Sequence, residues 1–371
     1  MLDPTGPIAR QFPLIARTRP ACTPLPQRVA DLTDRARAVG QAGDMAGAAA
    51  VCNLAALLAS DLGLPDLARR WCLRQSNVYL SARPLGTQAA RHALEPLINI
   101  ARLHMRAGDG ERAFNFLDAM YTAICNRTDT IIDGIDIPGA TLSITNEDHQ
   151  DLRRWLWANT LAAGARALAI AGRWEEAHTQ LRRYKGIGRR MLDGRQVAIL
   201  AHATSGDTTG ALALLDDTQP GEPWENAVTA CLSALCRGCT GQLGDQNSTL
   251  LIDRYQLLPP IPGLDVFHTR LGLTIIDTLG GTTSPSARQI ALDLIDHTIA
   301  ASDGYTAREL LSHTDCASLL TPSQSRDLTA VVIACALGTH DLPADLRTDL
   351  ETALATSETE LTRALTPLGG A

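Results

Sequence analysis

The chain has 371 residues, a formal net charge of −7 and 45% apolar residues, but only 4% of its residues are aromatic. This length suffices for one large or two ordinary domains, whose cores must be built mainly from alanine and leucine because aromatic side chains are so few. The net acidity argues against direct nucleic-acid binding and against binding to anionic membranes, since both surfaces are polyanionic.

The nine cysteines are irregularly spaced, and several of them, such as Cys52 and Cys231, fall inside apolar helical patterns. A free thiol in such a place acts as a small apolar side chain, which predicts a reducing, cytoplasmic setting. No secretory signal opens the chain, and no run of about 18 apolar residues predicts a transmembrane helix. We therefore expect a cytoplasmic protein with no membrane partner.

Residues 1–26 contain six prolines and predict an extended N-terminal arm, for which packing on the body is favoured over a free segment. From residue 27 onwards, apolar residues recur at helical spacing. β-Branched runs bounded by turns are scarce. The sequence therefore predicts an all-α protein.

A recurring spacing marks helix–turn–helix units. Five times, a glycine followed five residues later by an alanine stands between two helical patterns. A small or aliphatic residue stands seven positions before each glycine, where it would let two helices approach closely. The first two turns are so close together that one helix must serve both hairpins. The turns begin at Gly43, Gly63, Gly108, Gly172 and Gly206, and the alanines are Ala48, Ala68, Ala113, Ala177 and Ala211.

Gly172 and Gly206 lie 34 residues apart, which is the period of the tetratricopeptide repeat. Over residues 28–218 the chain resembles this family. The stretch NLAALLASDLGLPDLARRWCLRQ is also similar to the helical sensor portion of actinobacterial regulators that join a helix-turn-helix to such repeats, although no helix-turn-helix precedes it here. The resemblance implies antiparallel helical hairpins stacked in a right-handed superhelix, an α-solenoid, over a domain at 27–218.

Residues 126–148 interrupt this domain. They hold Gly134, Pro138, Gly139 and short β-like runs, which predict an insertion that forms a small hairpin or a lid. Thr145 and Asp148 have the spacing of a capping box that opens the next helix.

Beyond residue 218 the helical pattern weakens. Residues 219–371 are predicted to be a helical continuation or a second helical domain, with a loop or linker at 238–261. The predicted helices lie near 224–237, 262–279, 286–301, 306–312, 323–337 and 343–365.

Repeat stacks bind ligands on the concave face, which the first helix of each hairpin lines. Arg102 and Arg166 stand six residues before their turn glycines, at equivalent positions. In the tetratricopeptide family such a set grips a peptide carboxylate or backbone, and an arginine can bind a carboxylate or phosphate with two hydrogen bonds. The predicted ligand-binding residues are Asn53, Arg102, Arg106, Asn159, Arg166 and Gln196.

Each of these predictions has a structural alternative. The arginines could pair with Glu95, with Asp193 or with acids of the insertion, and Asp193 with Gln196 could cap a helix. A second cluster, Arg69-Arg70-Trp71 with Arg74, is either an interface or a solvated face with tryptophan packed inward.

Metal chemistry has little support. Cys231, Cys236 and Cys239 have a spacing found in iron–sulfur proteins, but no fourth ligand is evident. We predict no metal and no cofactor.

The first functional prediction is a binding module that recognises a peptide, a partner protein or a small anionic ligand, in regulation or specialised metabolism. The alternative is an enzyme on an all-α scaffold, with His104 or His149 beside the arginines in a pocket closed by the 126–148 insertion. A homodimeric structural protein is a third possibility, which would need a large apolar patch on the last third of the chain.

Overall fold

The computed structural model of the chain describes residues 1–366. The described part of the chain is 71% helical and contains 18 helices and a single two-stranded sheet, which confirms the all-α prediction. The helices and strands are α1 Pro7–Gln11, α2 Leu25–Ala42, α3 Met45–Asp61, α4 Pro65–Ser81, α5 Thr87–Arg106, α6 Gly110–Asn126, β1 Asp129–Ile132, β2 Ile135–Pro138, α7 Asn146–Ile170, α8 Trp174–Arg183, α9 Asp193–Ser205, α10 Thr208–Asp216, α11 Pro223–Gly238, α12 Asp245–Gln256, α13 Asp265–Thr278, α14 Pro285–Ala301, α15 Gly304–Ser312, α16 Thr314–Leu319, α17 Pro322–Ala334 and α18 Ala344–Leu365.

The chain forms two compact units, and each is assembled from two separate stretches of sequence. The first unit comprises Met1–Thr23 and Ala165–Cys335, and the second comprises Pro24–Gly164 and the C-terminal segment from Ala336. The division predicted from the sequence, at residues 26 and 218, follows chain order and does not coincide with these units. The difference arises because α18, near the C-terminus, packs on α2, α3 and α4.

The five predicted turns all have the backbone conformation that a glycine favours. Their glycines have φ between 71° and 86°, a region that side chains with a Cβ rarely adopt. The alanine five residues after each glycine is fully buried, so the small side chain sits where the two helices of the hairpin meet. As predicted, α3 serves two hairpins, one turning at Gly43 and the other at Gly63.

Aspartates start several of these second helices. Asp44, Asp109 and Asp207 each accept a hydrogen bond from the backbone N–H three residues further on. Such caps satisfy an N–H group that has no partner inside the helix.

In the second unit, α3 and α5 run side by side in the same direction. Asn99 Nδ2 donates to Asn53 Oδ1, and Arg106 Nη1 donates to Ser60 Oγ; both pairs are 46 residues apart. Because the number of residues between the two partners is the same at both contacts, the two helices run parallel to each other. The intervening α4 packs on both helices and carries the chain back in the opposite direction.

Helix α18 completes the core of the second unit. Leu350, Leu354 and Leu361 are buried, and Arg74 of α4 forms ion pairs with two glutamates of α18, including Glu358 at 2.8 Å. The tryptophan of the predicted arginine–tryptophan cluster, Trp71, is 1% exposed and donates to Glu351 of α18.

The insertion at 126–148 forms a small hairpin, which is one of the two predicted alternatives. Strands β1 and β2 pair antiparallel, and Ile132 opposite Ile135 leaves a two-residue turn. Its residues Asp133 and Gly134 both have positive φ, at 51° and 73°, the pattern of the tight turn that Asp-Gly favours. Thr145 and Asp148 form the predicted reciprocal cap at the start of α7.

The first unit includes the N-terminal arm, which is packed rather than free. It contains the short helix α1, and Phe12 and Leu14 are buried. Helix α12 lies inside residues 238–261. The prediction of a loop or linker there was therefore wrong. Within residues 1–366, no helix is long and apolar enough to cross a membrane.

Candidate ligand groove between helices α3 and α5

The second unit holds a cavity of about 230 Å³ between the facing sides of α3 and α5, which we call the α3–α5 groove. Four polar residues of α5 line it, spaced by four, three and four positions, so they form one stripe along the helix. From α3, Asn53, Leu57 and Ser60 face them. The stripe on α5 consists of Glu95, Asn99, Arg102 and Arg106.

Hydrogen bonds fix the orientation of the amides in the middle of the groove. Arg102 Nη1 donates to Asn99 Oδ1 at 2.7 Å, and Asn99 Nδ2 donates to Asn53 Oδ1 at 3.1 Å. A guanidinium has no acceptor, so the oxygen of Asn99 must face Arg102 and its NH₂ must face Asn53. Because the oxygen of Asn53 is then occupied, its NH₂ group is the part left to donate to a ligand.

Arg106 is anchored at the C-terminal end of the groove. Its Nη1 donates to Ser60 Oγ at 2.6 Å and to Asp61 Oδ1 at 3.1 Å. The side chain of Asp61 is only 3% exposed, and Arg28 lies 3.4 Å from its other oxygen. The side chain of Arg106 remains 44% exposed, so it is held in place by a buried acid while part of it faces solvent.

Glu95 lines the opposite end of the groove and is half-buried. Among the described residues, no cation forms an ion pair with its carboxylate. The α3–α5 groove therefore carries a negative charge at one end and guanidinium groups at the other, with the amides and leucine side chains between them.

Three of the six predicted ligand-binding residues meet in this groove, namely Asn53, Arg102 and Arg106. Asn159 is in α7 of the second unit, where its Nδ2 donates to the backbone oxygen of Trp155, and it does not line the groove. Arg166 is half-buried and belongs to the first unit.

Gln196 also belongs to the first unit, and its side chain holds the N-terminal arm. It is fully buried, accepts a hydrogen bond from the Leu14 N–H and donates to the oxygens of Leu14 and Met191. The alternative prediction of a cap made by Asp193 and Gln196 was wrong, because the N-cap of α9 is Leu192 and no side chain caps it.

The sequence reasoning missed Asn99, Ser60 and Asp61. Asn99 could have been found, since it stands nine residues before Gly108 while Asn53 stands ten before Gly63. A search that allowed one residue of slippage between helices would have paired the two asparagines.

Both histidines of the enzyme alternative lie outside the α3–α5 groove. His104 Nε2 is 3.1 Å from Asp133 Oδ2 in the hairpin turn, and Arg112 Nε is 2.9 Å from the same oxygen. Burial and, after it, the charge of Arg112 lower the pKa of His104. Burial is also the main cause that lowers the pKa of His149. The His104 cluster fastens the hairpin turn to α5 and α6.

Within residues 1–366, no group of three or more histidines, cysteines or acids is arranged to hold a metal ion. Cys231 and Cys236 are buried, and burial raises the pKa of both thiols to about 12. Burial therefore favours the neutral thiol form of both cysteines.

No protein family, curated protein or solved structure matches this chain. The function of the chain is therefore inferred from the chemistry of the α3–α5 groove.

Proposed function

We propose that this chain is a binding protein whose α3–α5 groove takes a small carboxylate-bearing ligand, either a free metabolite or the end of a peptide. The observation that carries the proposal is the hydrogen-bonded series from Arg102 through Asn99 to Asn53. Each amide oxygen already accepts one hydrogen bond, so the NH₂ group of Asn53 is the amide group best placed to donate to a ligand at the centre of the groove. A row of donors beside two guanidinium groups favours a ligand rich in acceptors and negative in charge.

The size of the groove supports a small ligand. Pockets for drug-sized molecules usually measure about 300–1,000 Å³, whereas the α3–α5 groove measures about 230 Å³. A globular partner could reach it only through a narrow projecting end.

We extend the proposal to the fold and role of this region. Helices α2 to α6 are tetratricopeptide-like hairpins of a right-handed superhelix, and the ligand regulates the activity of the protein in the cytoplasm. The buried alanine at each turn and the parallel direction of α3 and α5 support the repeat. The nine free cysteines support a reducing compartment.

The test is a calorimetric titration with N-acetyl-triglycine, a probe with one carboxylate and no charged amine. Arg102→Leu removes the proposed anchor, and Arg37→Leu is the matched control. Arg37 is an exposed arginine of α2 in the same unit, and its ion pair with Asp34 lies within one helix.

We expect Arg102→Leu to weaken binding about 10- to 100-fold, the equivalent of a charged hydrogen bond of about 1.5–3 kcal/mol, and Arg37→Leu to leave it unchanged. Equal affinity in the wild type and Arg102→Leu, or no binding by the wild type of either this probe or unblocked triglycine at about 10 mM, would overturn the proposal.

A further inference from the structure

The acidic end of the α3–α5 groove has no part in holding a carboxylate. Glu95 and Arg102 stand seven residues apart on the same stripe of α5, a separation of about 10 Å along the helix axis. A groove for a simple anion would gain nothing from a carboxylate at one end, because that carboxylate would repel it.

We propose that the groove selects a zwitterion, a linear amino-carboxylate that places its ammonium group at Glu95 and its carboxylate at Arg102. This inference rests on the proposed function, since it requires the carboxylate end to bind where that function puts it.

Within residues 1–366, the carboxylate of Glu95 forms no ion pair or hydrogen bond that would explain its position, and its charge acts only at longer range, on His92 and Tyr79. On a helix, a glutamate is commonly paired with a cation three or four residues away. Arg91 and His92 stand at those positions, but neither forms an ion pair with Glu95. Burial lowers the pKa of His92, and the charge of Glu95 opposes this shift without outweighing it. A ligand ammonium at Glu95 would supply the opposite charge that the described side chains around it do not.

The charges also set the direction of the ligand. A reversed zwitterion would place ammonium against guanidinium and carboxylate against carboxylate, so the groove opposes the wrong orientation as well as favouring the right one. Between the two ends, Leu57 and Leu103 offer apolar contact and Asn53 offers an amide donor for a carbonyl.

The separation of the charges sets the length of the ligand. An extended chain spans about 3.3–3.6 Å per residue, so three residues place an amine and a carboxylate roughly 10 Å apart. The groove therefore suits an amino-carboxylate of tripeptide length.

The experiment compares three probes by calorimetry: triglycine, N-acetyl-triglycine, which lacks the ammonium, and triglycinamide, which lacks the carboxylate. The variant is Glu95→Gln, which keeps the shape and removes the charge. The control is Asp31→Asn, an exposed acid of α2 in the same unit.

We expect the wild type and Asp31→Asn to bind triglycine at least 10-fold more tightly than either blocked probe. Glu95→Gln should bind triglycine and N-acetyl-triglycine equally, with its affinity for N-acetyl-triglycine unchanged or increased.

The results distinguish a failure of the zwitterion inference from a failure of the carboxylate site. If the wild type binds triglycine and N-acetyl-triglycine equally, or if Glu95→Gln keeps the preference for triglycine, the zwitterion inference is overturned and the carboxylate site stands. If triglycine and N-acetyl-triglycine both fail to bind at about 10 mM, the carboxylate site fails and the inference fails with it.

Discussion

Asn99 sets the hydrogen-bonding character of the whole groove. It makes no charge of its own, yet its oxygen is committed to Arg102 and its NH₂ to Asn53. Arg102 can only donate, so it fixes the orientation of the Asn99 amide, and Asn99 in turn fixes the orientation of the Asn53 amide. The proposed preference of the groove for ligands rich in acceptors depends on this residue as much as on the arginines.

Asn99→Asp tests that role. The new carboxylate would pair with Arg102 and occupy the centre of the groove with negative charge. We expect the affinity for N-acetyl-triglycine to fall about 10-fold or more, with the free energy of unfolding unchanged or raised. Asn77→Asp, at an exposed position of α4, is the control. Unaltered affinity in Asn99→Asp would show that the amide series does not govern binding.

The helices are fixed mainly by short-range features of the sequence. Glycine at each turn, the buried alanine five residues later and the aspartate caps all act within one hairpin. Asp148 acts over a longer range. One of its oxygens accepts from Thr145 at the start of α7, and the other accepts from the N–H and hydroxyl of Thr87, the first residue of α5.

Asp148 predicts a pH dependence of stability. Its hydrogen bonds from Thr145, followed by those from Thr87, lower its pKa from 3.8 to about 2. Because the folded pKa lies below the unfolded one, the stabilisation is complete above pH 4 and is lost as the pH falls towards 2.

We expect Asp148→Asn to lower the free energy of unfolding at pH 7 by about 1 kcal/mol, the usual value of a helix cap. Its difference from the wild type should shrink between pH 4 and pH 2, as measured by urea denaturation. A difference that stays constant down to pH 2 would contradict the role given to the ionised carboxylate.

These elements also show which parts of the site a sequence can reveal. Offsets from the turn glycines located Asn53, Arg102 and Arg106, because the helical period ties each side chain to its own turn. The same offsets placed Arg166 and Gln196 with them, but those residues belong to the other unit. A local period carries no information about which hairpins share a unit.

Each compact unit is built from stretches far apart in the sequence, with α18 as the clearest case. Its apolar face, including Leu354, is buried against helices about 300 residues earlier in the chain. The sequence predicted a helix near 343–365 with nearly the observed bounds. It could not predict the partners of that helix, since an amphipathic pattern identifies a face to be buried but not what buries it.

Leu354→Ala tests the integration of α18 into the second unit. Leu354 is 1% exposed, and such a truncation usually costs about 2–5 kcal/mol. We expect hydrogen–deuterium exchange to become faster in α2 and α3 and to stay unchanged in α13 of the first unit. Leu292→Ala, in α14 at a position 37% exposed, should change neither region. Exchange that is unchanged in α2 and α3 would contradict the packing of α18.

The central claim is that the ligand carboxylate lies at Arg102 in the α3–α5 groove. The most direct measurement is NMR of the side-chain amide and guanidinium signals during titration with N-acetyl-triglycine. We predict that the Asn53 NH₂ and Arg102 Nε–H signals shift together and saturate with one dissociation constant. Signals of Arg70, which lines a separate cavity of about 450 Å³ with His340 and Arg347, should stay in place. Shifts at Arg70 with none at Asn53 or Arg102 would contradict the account and move the binding site to that second cavity.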